Sequence, residues 1–150
     1  MPIVYLGSDH GGFSLKEDVF AVLKAAGCEV HDCGVFSPES VDYPDIAAEV
    51  CQKVIAQPGS LGVLICGTGI GMSIAANKIP GIRAALCTET YSARMARAHN
   101  DANVLCLGAR VLGVEVAREI VRAFFESSFE GGRHERRVQK ILQLETIPPC

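Results

Sequence analysis

Short apolar runs and stretches of helical spacing alternate along this chain almost from end to end. The runs at 3–7, 29–33, 61–66, 82–87 and 103–107 each have the length of a buried strand. Between the first two, 13–26 carries apolar residues at Phe13, Val19, Phe20 and Leu23 and stops at Gly27, which predicts a helix. A second helix is predicted over 44–56, with Pro44 in its first turn and an end before Pro58 and Gly59. A shorter one over 72–77 closes at Pro80-Gly81, and 91–100 and 114–126 continue the rhythm. Beyond 127–132 a last helix is predicted from 133 to about 144, followed by a loose tail over 145–150.

Strand–helix alternation with short links predicts a doubly wound α/β fold, a parallel five-stranded sheet covered on both faces. The 150 residues are expected to form one domain with a sizeable core, uninterrupted by internal repeats or low-complexity linkers. A common order for five such strands is 2-1-3-4-5. It reverses direction between the first and third strands and opens a crevice at their C-terminal ends. Two loops rich in glycine and polar groups would meet there, Ser8-Asp9-His10-Gly11-Gly12 and 66–71.

The second loop concentrates the candidate chemistry. The apolar run 61–66 ends in Cys66, and Gly67-Thr68-Gly69-Ile70-Gly71 then leads into a predicted helix. Alternate glycines let backbone N–H groups turn toward one point, because no side chain blocks the approach. A helix start adds the positive end of its dipole, which suits an anion or a developing oxyanion and favours a thiolate at Cys66. The dinucleotide fingerprint is excluded, since its third glycine belongs where Met72 stands, and no Gly-Lys-Ser/Thr follows to make a Walker loop. The plain structural alternative is a tight turn without a ligand, beside a cysteine packed as a small hydrophobe.

Other polar groups carry the same double reading. Asp9 and His10 follow the first strand, where Asp9 can cap the next helix and His10 face solvent, or the two can exchange protons with a hydroxyl or bind phosphate. His99 and Asn100 end a helix, where a histidine suits the negative end and an asparagine closes the last turn. His99 could instead act as the acid or base that opens a sugar ring. Arg133 and Arg137 share a helix face with His134 beside them, and positive charge at a helix start calls for an anion such as phosphate. Arg110, in Gly108-Ala109-Arg110 after the fifth strand, is a third cation at the crevice. Asp9, His10, Cys66 and His99 show no local ligand spacing such as His-x-x-x-His, so no metal site is expected.

A hydrophobic fraction of 49% excludes wholesale disorder, and a net charge of −3 gives no general pull toward nucleic acid or an anionic membrane. No apolar run has the length of a membrane span, and 3–6 meets Ser8-Asp9-His10 too soon for a secretory signal. Cysteines stand at 28, 33, 51, 66, 87, 106 and 150 without a Cys-x-x-Cys pair, the pattern of reduced thiols in a cytoplasmic protein.

Read in order, several segments of this chain form a recognisable series. They are Gly7-Ser8-Asp9-His10-Gly11-Gly12-Phe13, Asp42-Tyr43-Pro44-Asp45, Cys66-Gly67-Thr68-Gly69-Ile70-Gly71, Ala75-Ala76-Asn77-Lys78, His99-Asn100-Asp101, Gly108-Ala109-Arg110 and Gly132-Arg133-His134. From first strand to last helix the series resembles type B ribose-5-phosphate isomerases, within the RpiB/LacA/LacB sugar-phosphate isomerase family. The resemblance implies a Rossmann-like αβα sandwich working as a homodimer or a dimer of dimers, with active sites near the subunit interface drawing on both chains. It implies interconversion of ribose 5-phosphate and ribulose 5-phosphate, a step of pentose phosphate metabolism, without metal or organic cofactor.

Carried over by position, Cys66 is the base that moves a proton between C2 and C1. Thr68 and the N–H groups of Gly67, Thr68, Gly69, Ile70 and Gly71 hold the enediolate oxygens. Asp9 and His99 help open the furanose ring, His10, Arg133 and Arg137 bind phosphate, and Tyr43, Asn100 and Arg110 place the sugar. A branch of the family uses a glutamate just after the glycine loop as base. Met72 stands there in this chain, so the work falls to Cys66. Competing readings are the same reaction on galactose or allose 6-phosphate, a non-catalytic sugar-phosphate or nucleotide module, and a thiol transferase or hydrolase.

Overall fold

The strands β1 (Ile3–Ser8), β2 (Glu29–Asp32), β3 (Leu61–Cys66), β4 (Ala84–Leu86) and β5 (Val104–Gly108) form one parallel sheet. They are seen in a computed structural model that describes residues 2–36 and 38–148. Six helices complete the fold: α1 (Phe13–Ala25), α2 (Tyr43–Ala56), α3 (Ile70–Ala76), α4 (Thr90–Asn100), α5 (Val114–Phe125) and α6 (Arg133–Gln143).

Side chains of the central strands alternate between two cores, as the two-residue strand period requires. Val4, Leu6, Val63, Ile65, Leu105 and Leu107 meet Val19 and Leu23 of α1, Ala93 of α4, and Ile120 and Phe124 of α5 on one face. Leu64, Cys66, Val104 and Cys106 meet Val50 and Cys51 of α2 and Met72 of α3 on the other. Both faces are covered, which gives the αβα sandwich expected from the alternating pattern.

The strand order is β2-β1-β3-β5-β4, not the 2-1-3-4-5 arrangement. The inner position goes to β5, which is buried at every residue and pairs with both β3 and β4. β4 has three residues, all half-buried, and its burial suits an edge. Asn77 finishes that end of β4: its side-chain amide donates to the Ala84 carbonyl and accepts from the Ala84 N–H, at 3.0 and 2.8 Å. The reversal between β1 and β3 is as expected, with β1 pairing to β2 on one side and β3 on the other.

Chain direction fixes where the candidate residues go. Each helix that follows a strand runs back toward the edge where the strands begin. The chain beyond α6 is not loose at its start, because Leu144–Thr146 form a 3₁₀ turn and Glu145 accepts the Gly81 N–H at 2.7 Å. Pro149 and Cys150 lie outside the described residues. Among the described residues no helix is long and apolar enough to cross a membrane.

Candidate active site

At the C-terminal ends of β1, β3 and β5 three loops converge. Cys66 closes β3, is 5% exposed, and pairs in register with Gly108 of β5. The Gly69 N–H donates to its sulfur at 3.1 Å, so the turn that follows the strand fixes the thiol. Gly69 has a φ of +79°, and a β-carbon there would lie 2.5 Å from Leu86 Cδ1 and 2.9 Å from the Leu107 carbonyl carbon. Only glycine fits both demands.

The glycine turn spends part of its donor capacity on itself. Besides the Gly69 contact to sulfur, the Ile70 N–H donates to Thr68 Oγ1 at 3.2 Å. Gly71 and Met72, in the first turn of α3, have no carbonyl inside that helix for their N–H groups.

The other loops close around this turn. The Ala109 and Arg110 N–H groups donate to the carbonyls of Cys66 and Gly67, both at 2.9 Å. A β-carbon at Gly67 would come within 3.1 Å of Arg110 Nη1, and one at Gly71 within 2.6 Å of Tyr43 Cζ. The guanidinium and the phenol ring therefore flank the two ends of the turn.

Asp9 is buried and accepts the Gly12 N–H at 3.0 Å through Oδ1, so it does bind the start of α1. Its own N–H donates to the Ile65 carbonyl at 3.1 Å, one residue before the thiol. His10 accepts the Val41 N–H on Nδ1 at 3.2 Å, which leaves the proton of a neutral ring on Nε2.

A second group gathers around the end of α4. The rings of His99 and His134 stack with centroids 4.1 Å apart, and Glu130 Oε1 stands 3.8 Å from His99 Nε2 and 3.9 Å from His134 Nε2. Burial holds His134 below the usual histidine range, helped by the nearby positive charge of Arg133 and by His99, against an opposing effect of Glu130. Arg133 and Arg137 are exposed on α6 and form no ion pair among the described residues. Asn100 is the last residue of α4, but the helix is closed by Asp101, whose φ is +47°. Asp101 also meets Arg83 at 3.4 Å and Arg97 at 3.0 Å, which braces the corner.

His99, Glu130 and His134 place one ligand atom each within 4.8 Å of one another. Their planes differ by only 12°, so the imidazole lone pairs run side by side rather than converging on one ion. The stack as it stands is a poor metal pair.

The two groups do not meet within one chain. The Asn103 carbonyl, just after α4, accepts the Gly62 N–H near the start of β3, four residues before Cys66, a separation of about 13 Å along the strand. Cys66, Thr68, Asp9, His10, Tyr43 and Arg110 thus stand at one edge of the sheet. His99, Asn100, Arg133 and Arg137 stand at the other, where Asn100 lines a cavity of about 610 Å³ with Lys78, Arg83 and Glu145. His134 was not singled out as a site residue from sequence. The apolar positions Val138 and Ile141 at four- and seven-residue spacing from it were the signal that it faces inward.

Fold and loops place the chain among doubly wound α/β proteins, which receive small ligands outside the carboxyl ends of their strands. More narrowly, residues 4–141 match the Ribose/Galactose Isomerase family, and the chain belongs to it. It is 49% identical over 145 residues to ribose-5-phosphate isomerase B of Escherichia coli K12, with 97% of each chain covered. The solved ribose-5-phosphate isomerase B of Clostridium thermocellum superposes with a TM-score of 0.92 at 52% identity, covering 95% of this chain and 97% of that one. The Trypanosoma brucei type B enzyme gives 0.93 at 48%, covering 97% and 99%.

Proposed function

We propose that the chain interconverts ribose 5-phosphate and ribulose 5-phosphate as a homodimer, with Cys66 as the base. The observation that carries this reading is the buried Cys66 sulfur, held by the Gly69 N–H in a turn flanked by Asp9, Tyr43 and Arg110. The family match and the 49% identity to the ribose-5-phosphate isomerase B of E. coli support the choice of substrate.

In this reading the furanose opens first, with Asp9 and His99 exchanging the ring and hydroxyl protons. The Cys66 thiolate then takes the proton from C2, and negative charge grows on the neighbouring oxygens. Thr68 and the amides of the glycine turn receive that charge, an effect worth about 3 kcal/mol per well-placed donor at comparable sites. The thiol returns its proton to C1 while the hydroxyl proton on O2 passes to O1, and the ketose forms. Phosphate takes no part in bond breaking, so His10, Arg133 and Arg137 serve to position the reacting carbons.

A homodimer is supported by His99, Arg133 and Arg137 lying at the opposite ends of the strands from Cys66. One chain's thiol edge set against its partner's histidine edge would complete each site, and two-fold symmetry would make two such sites. Exposed Ile70 and Ile74, one turn apart on α3 beside the thiol loop, offer apolar surface for that contact. Six free thiols among the described residues fit a reducing compartment such as the cytoplasm.

The test is direct. Protein treated with a chelator is incubated with ribose 5-phosphate, galactose 6-phosphate and allose 6-phosphate, and ketose is measured. Ribulose 5-phosphate formed fastest is the expected result. Faster turnover of a hexose phosphate would reassign the substrate, and no ketose from any sugar would overturn the reading.

A further inference from the structure

Lys16 is a charged side chain that the proposed reaction does not use. It lies on α1, only 6% exposed, with its Nζ 3.0 Å from Asp32 Oδ1. It also donates to the Val35 carbonyl, and the rings of Phe13 and Phe36 stand 5.6 and 4.8 Å from it. A buried ammonium paired with a partly exposed carboxylate is seldom a better stabiliser than an apolar side chain of the same size, so its value is sought in geometry. Here the ammonium binds a backbone carbonyl, which an apolar residue could not do.

The anchored turn reaches the candidate site through Ser8. Asp32 Oδ1 also accepts the Gly34 N–H at 2.9 Å. The Gly34 carbonyl then accepts the Ser8 N–H at 2.7 Å, and the Val35 N–H donates to the Ser8 carbonyl at 2.8 Å. Ser8 immediately precedes Asp9 and His10, so the turn continues the pairing of β1 and β2 up to those residues. His10 itself accepts the Val41 N–H on Nδ1, at 3.2 Å.

We propose that Lys16 is a positioning residue, holding the Asp32–Gly34–Val35 turn against Ser8 so that His10 keeps its Val41 contact and presents Nε2–H to the substrate phosphate. It acts through Ser8 and His10 and touches neither sugar nor phosphate. The role of the phosphate rests on the isomerase reading above, whereas the state of the His10 ring does not.

Two measurements separate these. Nitrogen NMR of the labelled imidazole, without substrate, reads which His10 nitrogen carries the proton in the wild type, in Lys16→Met and in Phe36→Ala. Steady-state kinetics with ribose 5-phosphate reads KM and kcat for the same proteins. The wild type is expected to show a single Nε2–H form. Lys16→Met is expected to lose that preference and to raise KM by about 5–20-fold with kcat within about twofold, since a phosphate-positioning defect weakens ground and transition states alike. Phe36 is 74% exposed, so its replacement spares the core and should shift both readings in the same direction by less. If Lys16→Met fails to fold, Phe36→Ala decides alone. A protonated Nδ1 in the wild type overturns the proposal, as do unchanged KM and ring state in the variants. Absence of wild-type turnover would sink only the isomerase reading, because the NMR result needs no catalysis.

Discussion

The imidazoles of His99 and His134 lie face to face, 4.1 Å apart and 12° from parallel, with one carboxylate oxygen of Glu130 within 4 Å of both. The contact ties the last turn of α4 to the first turn of α6. It also packs a residue expected to work as an acid or base against one whose imidazolium burial disfavours.

That burial gives stability a pH dependence. His134 sits below its ordinary range in the fold because burial, then His99 and Arg133, disfavour the imidazolium. The unfolded chain, with a histidine near about 6.5, therefore binds the proton more readily. Stability is complete above that value and falls as acid is added. The urea midpoint should drop between about pH 7.5 and about pH 5.5, and His134→Phe should flatten the drop by removing this proton from the unfolded state. An equally steep drop in the variant would show that other groups carry the whole effect.

The thiol and its turn were legible in the chain because an apolar run ending at Cys66 and alternate glycines are both local signals. The same holds for the layers, since strand and helix periods differ. Strand order was not legible: Val104–Gly108 and Ala84–Leu86 both read as short apolar runs, and only packing on β3 decides which is inner. The separation of Cys66 from His99 follows from chain direction, yet motifs in a row carry no sign of the sheet edge each belongs to. The Lys16 turn was equally hidden, because its partners Asp32 and Val35 lie 16 and 19 residues away.

Cys66→Ser keeps an acceptor for the Gly69 N–H while replacing the thiol with a far weaker base. Stability should change by less than about 1 kcal/mol. The kcat should fall by roughly 10²–10⁴, the range for losing a general base, with sugar-phosphate affinity by calorimetry largely kept. Normal turnover would exclude Cys66 as the base.

Gly71→Ala pits two small effects against each other. Alanine gains up to about 1 kcal/mol over glycine in a helix interior, and less in the first turn where Gly71 sits. The new β-carbon, however, would lie 2.6 Å from Tyr43 Cζ, so the exposed ring must swing aside. Melting temperature should barely move while KM rises several-fold, about as in Tyr43→Ala. A KM equal to wild type would mean that Tyr43 does not place the sugar.

Arg137→Ala should raise KM for the phosphorylated sugar by roughly tenfold with kcat nearly unchanged, because the phosphate is bound alike in ground and transition states. The residue is exposed and forms no ion pair among the described residues, so stability should hold. A fall in kcat at constant KM would place Arg137 on the reacting carbons instead.

The sharpest test of the two-edged arrangement uses two inactive proteins. Cys66→Ser and His99→Asn are each expected to lose most turnover, because every site in either homodimer lacks one group. Co-refolding equal amounts makes half of the dimers mixed, by random pairing. If each site takes Cys66 from one chain and His99 from the other, a mixed dimer has one site missing both groups and one missing neither. Activity should then recover to about a quarter of wild type, one intact site in half of the dimers. If both groups came from the same chain, every site in the mixture would lack one of them and no activity would return.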